Sequence, residues 1–227
     1  MQKIIFSTFA VAAFIIVTNA FSYSADGYDQ NKLKLIPGSN KAAVAQCTDG
    51  STVYSYENYE IHTKPSEDFV GNNIKIYKSN PEVSDPCTSD HTKPYYYIKA
   101  GEFGGANTIA GLYGNLLFLD QWTGRDYKRL LAINMDTKSL VFFDTYAEPE
   151  IRAGKLNYFR TLKTKRQSVK DKIPCPEAEK WQSDGKQVLY VEKMSVDLST
   201  MKKEPSGEFS CMPVDPIGTA APKRYGH

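Results

Sequence analysis

The stretch LLFLDQW at residues 116–122 is repeated in character by LVFFDTY at residues 140–146. In each, four apolar residues precede an aspartate, a polar residue and an aromatic residue. A third apolar run of strand length, KRLLAINM, lies between them at residues 128–135. The joins at 123–127 and 136–138 are short, and short joins make consecutive strands antiparallel neighbours. The three runs therefore predict an antiparallel β-meander.

The rest of the chain also favours strands, since no apolar stripe with helical spacing is found in it. Period-two alternation and β-forming residues predict further strands at 51–61, 72–78, 95–103, 155–163, 187–198 and, as a return limb, 202–211. One short helix is expected near residues 176–182, where a proline opens an acidic first turn. The predicted fold is mostly β, an antiparallel meander forming a sandwich, barrel or partial-propeller-like sheet.

A second pair of segments is similar, INMDTKS at residues 133–139 and VDLSTMK at residues 196–202. Both are typical of a strand that runs into a tight turn, where short polar side chains hydrogen-bond the local backbone. Hairpins use a small set of turn residues, so two unrelated hairpins would look alike. A true internal repeat is the alternative, and it would favour propeller-like blades.

The N-terminus has the anatomy of a secretory signal peptide over residues 1–20. Lys3 is followed by an uncharged apolar run from Ile4 to Val17 and by Thr18-Asn19-Ala20, which predicts cleavage after Ala20 or, failing that, after Ser24 or Ala25. A membrane anchor is the alternative, but the run is shorter than the roughly 20 residues that a spanning helix needs. We expect a secreted or periplasmic protein with no transmembrane span after signal removal.

The four cysteines, Cys47, Cys87, Cys175 and Cys211, form no C-x-x-C pair, which argues against zinc-ribbon and thioredoxin-like sites. An even count after a signal peptide predicts two disulfides, and free buried thiols are the alternative. We favour Cys47–Cys87 and Cys175–Cys211, which keep each bridge within its own half of the chain. Each would close a loop of about 40 residues and stabilise the fold by about 4 kcal/mol before strain.

The predicted organisation is one disulfide-stapled β domain at residues 46–212 between two less regular segments. Residues 21–45 are polar and predict a mobile N-terminal segment, and residues 213–227 predict a flexible tail. The formal charge of +2 loses Lys3 with the signal, leaving +1. This balance gives no global attraction to nucleic acid or to a membrane surface, so neither is an expected partner.

The repeated aspartates, Asp120 and Asp144, are the main catalytic candidates, with Glu102 as a third. The first and third strands of a meander run parallel, so both aspartates fall at one end of the sheet, about 9–10 Å apart for two strand spacings. Inverting glycosidases separate their carboxyl groups by about 6.5–9.5 Å, so the geometry permits a catalytic pair. Aspartate at a strand end is also ordinary turn placement, and we favour that structural interpretation.

Candidate binding residues are aromatic or basic. Aromatic side chains on an exposed sheet face can stack on sugar rings or anchor a partner protein. A run of basic residues can bind an acidic partner. The residues chosen on these grounds are Tyr54, Tyr56, Tyr96, Trp122, Lys163, Lys165 and Arg166. Half-buried strand positions and a solvated loop are the simpler explanations of the same residues.

Other chemistry finds little support in the sequence. The three histidines form no metal-ligand spacing, and the motifs G-x-S-x-G and G-K-[ST] are absent, so no metal and no cofactor are expected. We therefore predict a binding or interaction protein that acts through a β-sheet surface, as an inhibitor of an enzyme or as an envelope-associated module. Its partner would be a protein or an envelope glycan. The alternative is a small glycan hydrolase that uses Asp120 and Asp144.

Overall fold

A computed structural model describes residues 35–80, 85–88, 93–122, 128–162 and 173–214. Within these ranges lie thirteen strands, a single 3₁₀ turn at Glu102–Gly104 and one short helix, α1, at Ala178–Ser183. The strands are β1 Ala43–Gln46, β2 Thr52–Ser55, β3 Tyr59–Pro65, β4 Asn72–Lys78, β5 Tyr96–Ile98, β6 Ala106–Tyr113, β7 Leu116–Trp122, β8 Lys128–Asn134, β9 Ser139–Thr145, β10 Ala147–Arg152, β11 Lys155–Thr161, β12 Gln187–Asp197 and β13 Lys203–Val214.

The strands form three antiparallel sheets, each in simple sequence order: a first sheet of β1–β5, a central sheet of β6–β9 and a third sheet of β10–β13. The mostly β prediction, the meander and the short helix are confirmed. The meander that the two similar stretches predict is the run β7–β8–β9 of the central sheet. None of the described sheets closes into a barrel, and the arrangement is that of a sandwich.

The central sheet is apolar on both faces because each face packs on another sheet. Leu117, Leu119 and Ile133 contact the first sheet in what we call the first interface. Phe118 and Leu130 contact the third sheet in the second interface. Successive side chains of a strand point to opposite faces, so a strand buried on both sides has a continuous apolar run. This is why residues 116–119 show no alternation.

Residues 36–40 join the central and third sheets along one edge of the second interface. Ile36 and Asn40 donate backbone hydrogen bonds to Ala110 and Leu112 of β6, at 2.7 and 2.6 Å, and Pro37 accepts one from β10. Gly111 is required there, since a Cβ would lie 2.9 Å from the side chain of Ser39. Residues 35–45 are the described end of the segment predicted to be mobile. They pack on the domain and include most of β1. The rest of the predicted division into segments stays a prediction.

Two disulfides cross-link segments at the first and third sheets, and the cysteines pair as predicted. Cys47–Cys87 has a Cα separation of 5.5 Å and fastens the turn after β1, and Cys175–Cys211 has one of 5.6 Å and fastens the segment before α1 to β13. Disulfides are typical of proteins that fold outside the cytoplasm. Among the described residues, no helix is long and apolar enough to cross a membrane.

The two similar turn segments have one geometry. The side-chain oxygens of Asn134 and Asp197 each accept backbone N–H groups two and three residues further on, at 2.9 to 3.1 Å. Four residues after each, Lys138 and Met201 adopt the left-handed conformation, with φ of 54° and 57°. The likeness between the segments therefore has a physical basis in a shared side-chain-capped turn.

Two predicted strands are wrong in their extent, and residues 95–103 hold only the three-residue β5 and the start of the 3₁₀ turn. Residues 51–61 form two strands, because the chain reverses between Tyr56 and Tyr59, where the Tyr56 N–H donates to the Tyr59 carbonyl at 2.8 Å. Glu57 and Asn58 occupy the turn, and neither glycine nor proline marks it. The reversal creates the β2–β3 hairpin, which places Glu57 and Asn58 beside the polar cleft described below.

Candidate functional site

Asp120 and Asp144 lie on one face of the central sheet, at the same end. Both are cross-strand partners of Leu130, one from each side. This register places them two strand spacings apart, about 9–10 Å between Cα atoms. They face the second interface, because Leu130 packs there. The relation predicted from the two similar stretches is therefore present.

Asp144 is held by donors from the third sheet. Its Oδ2 accepts hydrogen bonds from the Tyr158 hydroxyl at 2.8 Å and from Lys203 Nζ at 3.1 Å. Its Oδ1 accepts the backbone N–H of Thr145 at 2.9 Å. Burial, and then the hydrogen bond to Asp144, raise the pKa of Tyr158. Donors and a cation of this kind favour the charged form of a carboxyl group.

Asp120 is held by a lysine of its own sheet, and its Oδ1 is buried without a hydrogen-bond partner among the described residues. Lys128 Nζ donates to Asp120 Oδ2 at 2.7 Å. Nearby in the second interface, Arg160 forms an ion pair with the buried Glu192, which raises the pKa of Arg160. A catalytic acid needs an apolar or like-charged surrounding that keeps its proton. Asp120 and Asp144 instead each contact a lysine ammonium group.

Glu102 does not join this pair. Its Oε2 accepts the backbone N–H of Lys99 at 2.9 Å, which closes the 3₁₀ turn between β5 and β6. The same turn is tied to Asn107 and Gln121 through their side-chain amides. Gln121 follows Asp120 on β7 and therefore points to the opposite face of the central sheet. The structure thus separates Glu102 from the two aspartates.

The predicted aromatic residues are divided between core and surface. Tyr54 and Tyr56 are 3% and 4% exposed and pack in the first interface, so their rings are not presented to a partner. Burial raises the pKa of Tyr54 to about 12. Tyr96 and Trp122 are half-buried. The basic candidates Lys163, Lys165 and Arg166 lie outside the described residues.

Trp122 lies in a shallow apolar depression of about 230 Å³ at the end of the molecule where β7 terminates. Phe69 and Val70, in the β3–β4 hairpin, are 64% and 53% exposed beside it. The ring of Phe69 lies over Gly101, with Cδ1 3.6 Å from the place a Cβ would take. The depression has few polar groups and no charged side chain among the residues that line it.

A larger concave surface, the polar cleft, opens at the other end of the first interface. It has a volume of about 550 Å³ and lies between the β2–β3, β6–β7 and β8–β9 turns and the end of β4. Its lining residues are Glu57, Asn58, Tyr59, Lys78, Ser79, Gly114, Asn115 and Asp136. Each comes from a strand end or a turn, so three hairpins must stack before the cleft exists.

Lys78 and Tyr59 form one side of the cleft, and Tyr95 and Lys138 lie next to them. Lys78 Nζ lies 4.2 Å from the ring centroid of Tyr59 and 4.4 Å from that of Tyr95. Lys138 Nζ lies 4.1 Å from the Tyr95 centroid. Lys78 also donates a hydrogen bond to the Tyr59 hydroxyl at 3.0 Å, the main reason that its pKa is raised. An ammonium group over an aromatic ring is attracted by the ring's electron-rich face.

The opposite side of the cleft is built from turn residues in fixed positions. Asn115 donates to Asp136 Oδ2 at 2.7 Å, which links the β6–β7 turn to the β8–β9 turn. Asn134 caps the β8–β9 turn, and the Tyr95 hydroxyl donates to the Met135 carbonyl at 3.0 Å. These contacts hold Tyr95, Asn115 and Asp136 in place without any ligand.

The cleft offers ammonium and amide donors, carboxylate acceptors and tyrosine rings within one space. This combination suits a ligand whose groups both donate and accept hydrogen bonds, as hydroxyl groups do. The predicted site omitted it, because neither Lys78 nor Lys138 belongs to a motif or to a basic run in the sequence. Within the described part of the chain, no group of three or more histidine, cysteine, aspartate or glutamate side chains could hold a metal ion.

Comparison with models of protein families, with curated proteins and with solved structures finds no match to this chain.

Proposed function

We propose that this protein is a secreted or periplasmic glycan-binding protein, an envelope-associated module that holds a saccharide in the polar cleft. The observation that carries the proposal is the lining of the cleft, where Glu57, Asn58, Lys78 and Asn115 lie around Tyr59 in a space of about 550 Å³. Ligand sites are concave and hold a few convergent polar groups.

The size and the polarity of the cleft favour a sugar over a drug-like apolar molecule. Sugar hydroxyls can accept from amide and ammonium groups and donate to carboxylates, so a mixed lining satisfies them. Glu57 and Asn58 are exposed at the rim, where they can reach a ligand without a change of fold. The two disulfides and the signal-like N-terminus support a place outside the cytoplasm.

A hydrolase that uses Asp120 and Asp144 is the rival function. The hydrogen bonds from Tyr158 and Lys203 to Asp144, and from Lys128 to Asp120, count against it. The proposal is accordingly one of binding without turnover.

The test is a binding screen of the purified full-length protein on an array of oligosaccharides, followed by NMR mapping of the best ligand. We expect shifts at Asn58, Gly114 and Asn115, which line the cleft. Glu57→Gln should weaken binding about tenfold, since it replaces a charged acceptor at the rim. Glu67→Gln, an exposed glutamate in the β3–β4 hairpin at the other end, is the matched control and should leave affinity unchanged.

Two outcomes would overturn the proposal. One is an absence of binding to every glycan on the array, or shifts that cluster away from the cleft. The other is the appearance of new reducing ends when the protein is incubated with the bound glycan, together with their loss in Asp120→Asn or Asp144→Asn that retains the circular dichroism of the fold. The second result would establish the hydrolase.

A further inference from the structure

Lys78 lines the cleft, and it shares the ring of Tyr95 with Lys138, which lies beside the cleft. Their Nζ atoms lie 4.4 and 4.1 Å from the centroid of the same ring. Among the described residues, neither lysine forms an ion pair. Each ammonium group has three N–H donors, and contact with the face of an aromatic ring uses only some of them. Donors that still point into solvent are thus left beside the cleft.

The cations at the second interface between sheets have different partners. Lys128, Arg160 and Lys203 each pair with a carboxylate of the second interface. A lysine that is already paired offers little to a ligand, because its charge is neutralised. The two lysines on Tyr95 have no such ion pair within the described part of the chain.

We propose that the Lys78–Tyr95–Lys138 group binds an anionic substituent, a carboxylate or a phosphate, carried by the saccharide in the cleft. This inference rests on the proposed glycan-binding function and adds its ligand class. Ammonium groups recognise a group of charge −1 to −2 through charge-assisted hydrogen bonds. The acidic residues of the cleft take the neutral hydroxyls instead, and Asp136 is already engaged by Asn115 at 2.7 Å.

The position of the tyrosine ring supports this assignment. Tyr95 is fixed by its hydroxyl, which donates to the Met135 carbonyl at 3.0 Å, so its faces are held in place for the lysines. Lys138 follows Thr137 in the left-handed conformation, with φ of 54°, and this backbone directs its side chain from the β8–β9 turn to Tyr95. The equivalent residue of the β12–β13 turn is Met201, which packs against the second interface. The cation is specific to the turn beside the cleft.

The experiment compares oligosaccharides of one backbone in acidic and neutral forms, namely an oligouronate, its fully methyl-esterified derivative and a phosphorylated oligosaccharide with its dephosphorylated form. The array identifies the backbone, and calorimetry measures affinity at two salt concentrations. We expect an acidic form to bind at least tenfold more tightly than its neutral form, with the difference reduced at high salt, because screening weakens exposed charge pairs. Inorganic phosphate alone tests whether the anionic group suffices without the sugar.

Variants assign the effect to the lysines. Lys78→Gln and Lys138→Gln should each lower affinity for the acidic form about tenfold to 100-fold and leave the neutral form unchanged. Lys78→Arg keeps the charge and should retain the preference, which separates a charge effect from a folding defect. Lys75→Gln is the matched control, since Lys75 is exposed on the same strand and points to the opposite face.

The outcomes separate the two proposals. Equal binding of acidic and neutral forms, or a preference that survives both lysine substitutions, overturns the anionic assignment and leaves the glycan-binding function standing. Binding of neither form of any backbone overturns the function itself. An acidic preference that disappears in both variants and persists in Lys78→Arg and Lys75→Gln supports the inference.

Discussion

The two interfaces of the central sheet hold charge in opposite ways. In the second interface, each cation at the polar end meets a carboxylate, as Lys128 meets Asp120 and Lys203 meets Asp144. At the open end of the first interface, Lys78 and Lys138 lie over the ring of Tyr95 instead. The difference teaches that the aspartates that stand out in the sequence are already paired with lysines within the fold. The lysines that do not stand out are placed to meet a ligand.

The largest effect is expected from the apolar part of the second interface. Phe118 is 0% exposed, so Phe118→Ala should lower the free energy of unfolding by about 3–5 kcal/mol through lost burial and the cavity left behind. Phe143, 61% exposed on the neighbouring edge strand, is the matched control, and Phe143→Ala should change stability by less than about 0.5 kcal/mol. Urea unfolding measures both. Similar losses at the two positions would mean that the central sheet is not covered by the third sheet.

A smaller effect is expected from the charged part of the same interface. Asp144→Asn should lower the free energy of unfolding by about 2 kcal/mol, because the hydroxyl of the buried Tyr158 loses a charged acceptor. Tyr158→Phe should cost a similar amount, and the double variant should cost less than the sum, since the two partners share one interaction. Chemical unfolding of the four proteins gives the coupling energy.

The control for this cycle lies in the first interface. Asp136 is exposed and pairs with the amide of Asn115, so Asp136→Asn should change stability by less than about 0.5 kcal/mol. If the losses of unfolding free energy in Asp144→Asn and Tyr158→Phe were strictly additive in the double variant, the pairing of these two side chains would be contradicted. A loss at Asp136 as large as that at Asp144 would remove the contrast between the interfaces.

The central meander and the two disulfides could be predicted because each depends on local information. The joins at 123–127 and 136–138 are so short that consecutive strands must pair. In both similar stretches, an aspartate after four apolar residues marks the end of the strand. The stacking of three sheets could not be predicted with the same ease. A continuous apolar run is compatible with several buried arrangements, and it does not identify the partner of each face.

The cleft was missed for a related reason. Tyr59 and Lys78 are cross-strand partners in the β3–β4 pair, whereas Tyr95 precedes β5 and Lys138 lies in the β8–β9 turn. Only the packing of the first sheet on the central sheet brings Lys138 to Tyr95. Residues 51–61 also concealed the β2–β3 turn, because its polar residues, Glu57 and Asn58, continue the alternation of a strand. Tyrosine content alone favoured Tyr54 and Tyr56, which the same turn directs into the core.

The smallest effect concerns the two similar turns, one beside the cleft and one in the third sheet. Hydrogen bonds from the Ser199 side chain and from the backbone and side chain of Thr200 lower the pKa of Asp197 from 3.8 to about 2. Its folded-state pKa is below the unfolded value, so the ionised carboxylate stabilises the β12–β13 turn above about pH 4. This contribution is lost as the pH falls toward 2. Asn134, in the equivalent place of the β8–β9 turn, accepts the same backbone groups without titrating.

Asp197→Asn should therefore keep the turn and remove its share of the pH dependence, so that the stability difference between wild type and variant narrows from pH 4 to pH 2. Carbon-13 NMR of the Asp197 carboxyl group measures the midpoint, and unfolding at each pH measures the linkage. Asn134→Asp is the reciprocal variant and should introduce a carboxyl group with a lowered pKa at the turn beside the cleft. A midpoint near 4 for Asp197, or a stability difference that does not change with pH, would show that the two turns share a backbone shape without sharing the hydrogen bonds that explain it.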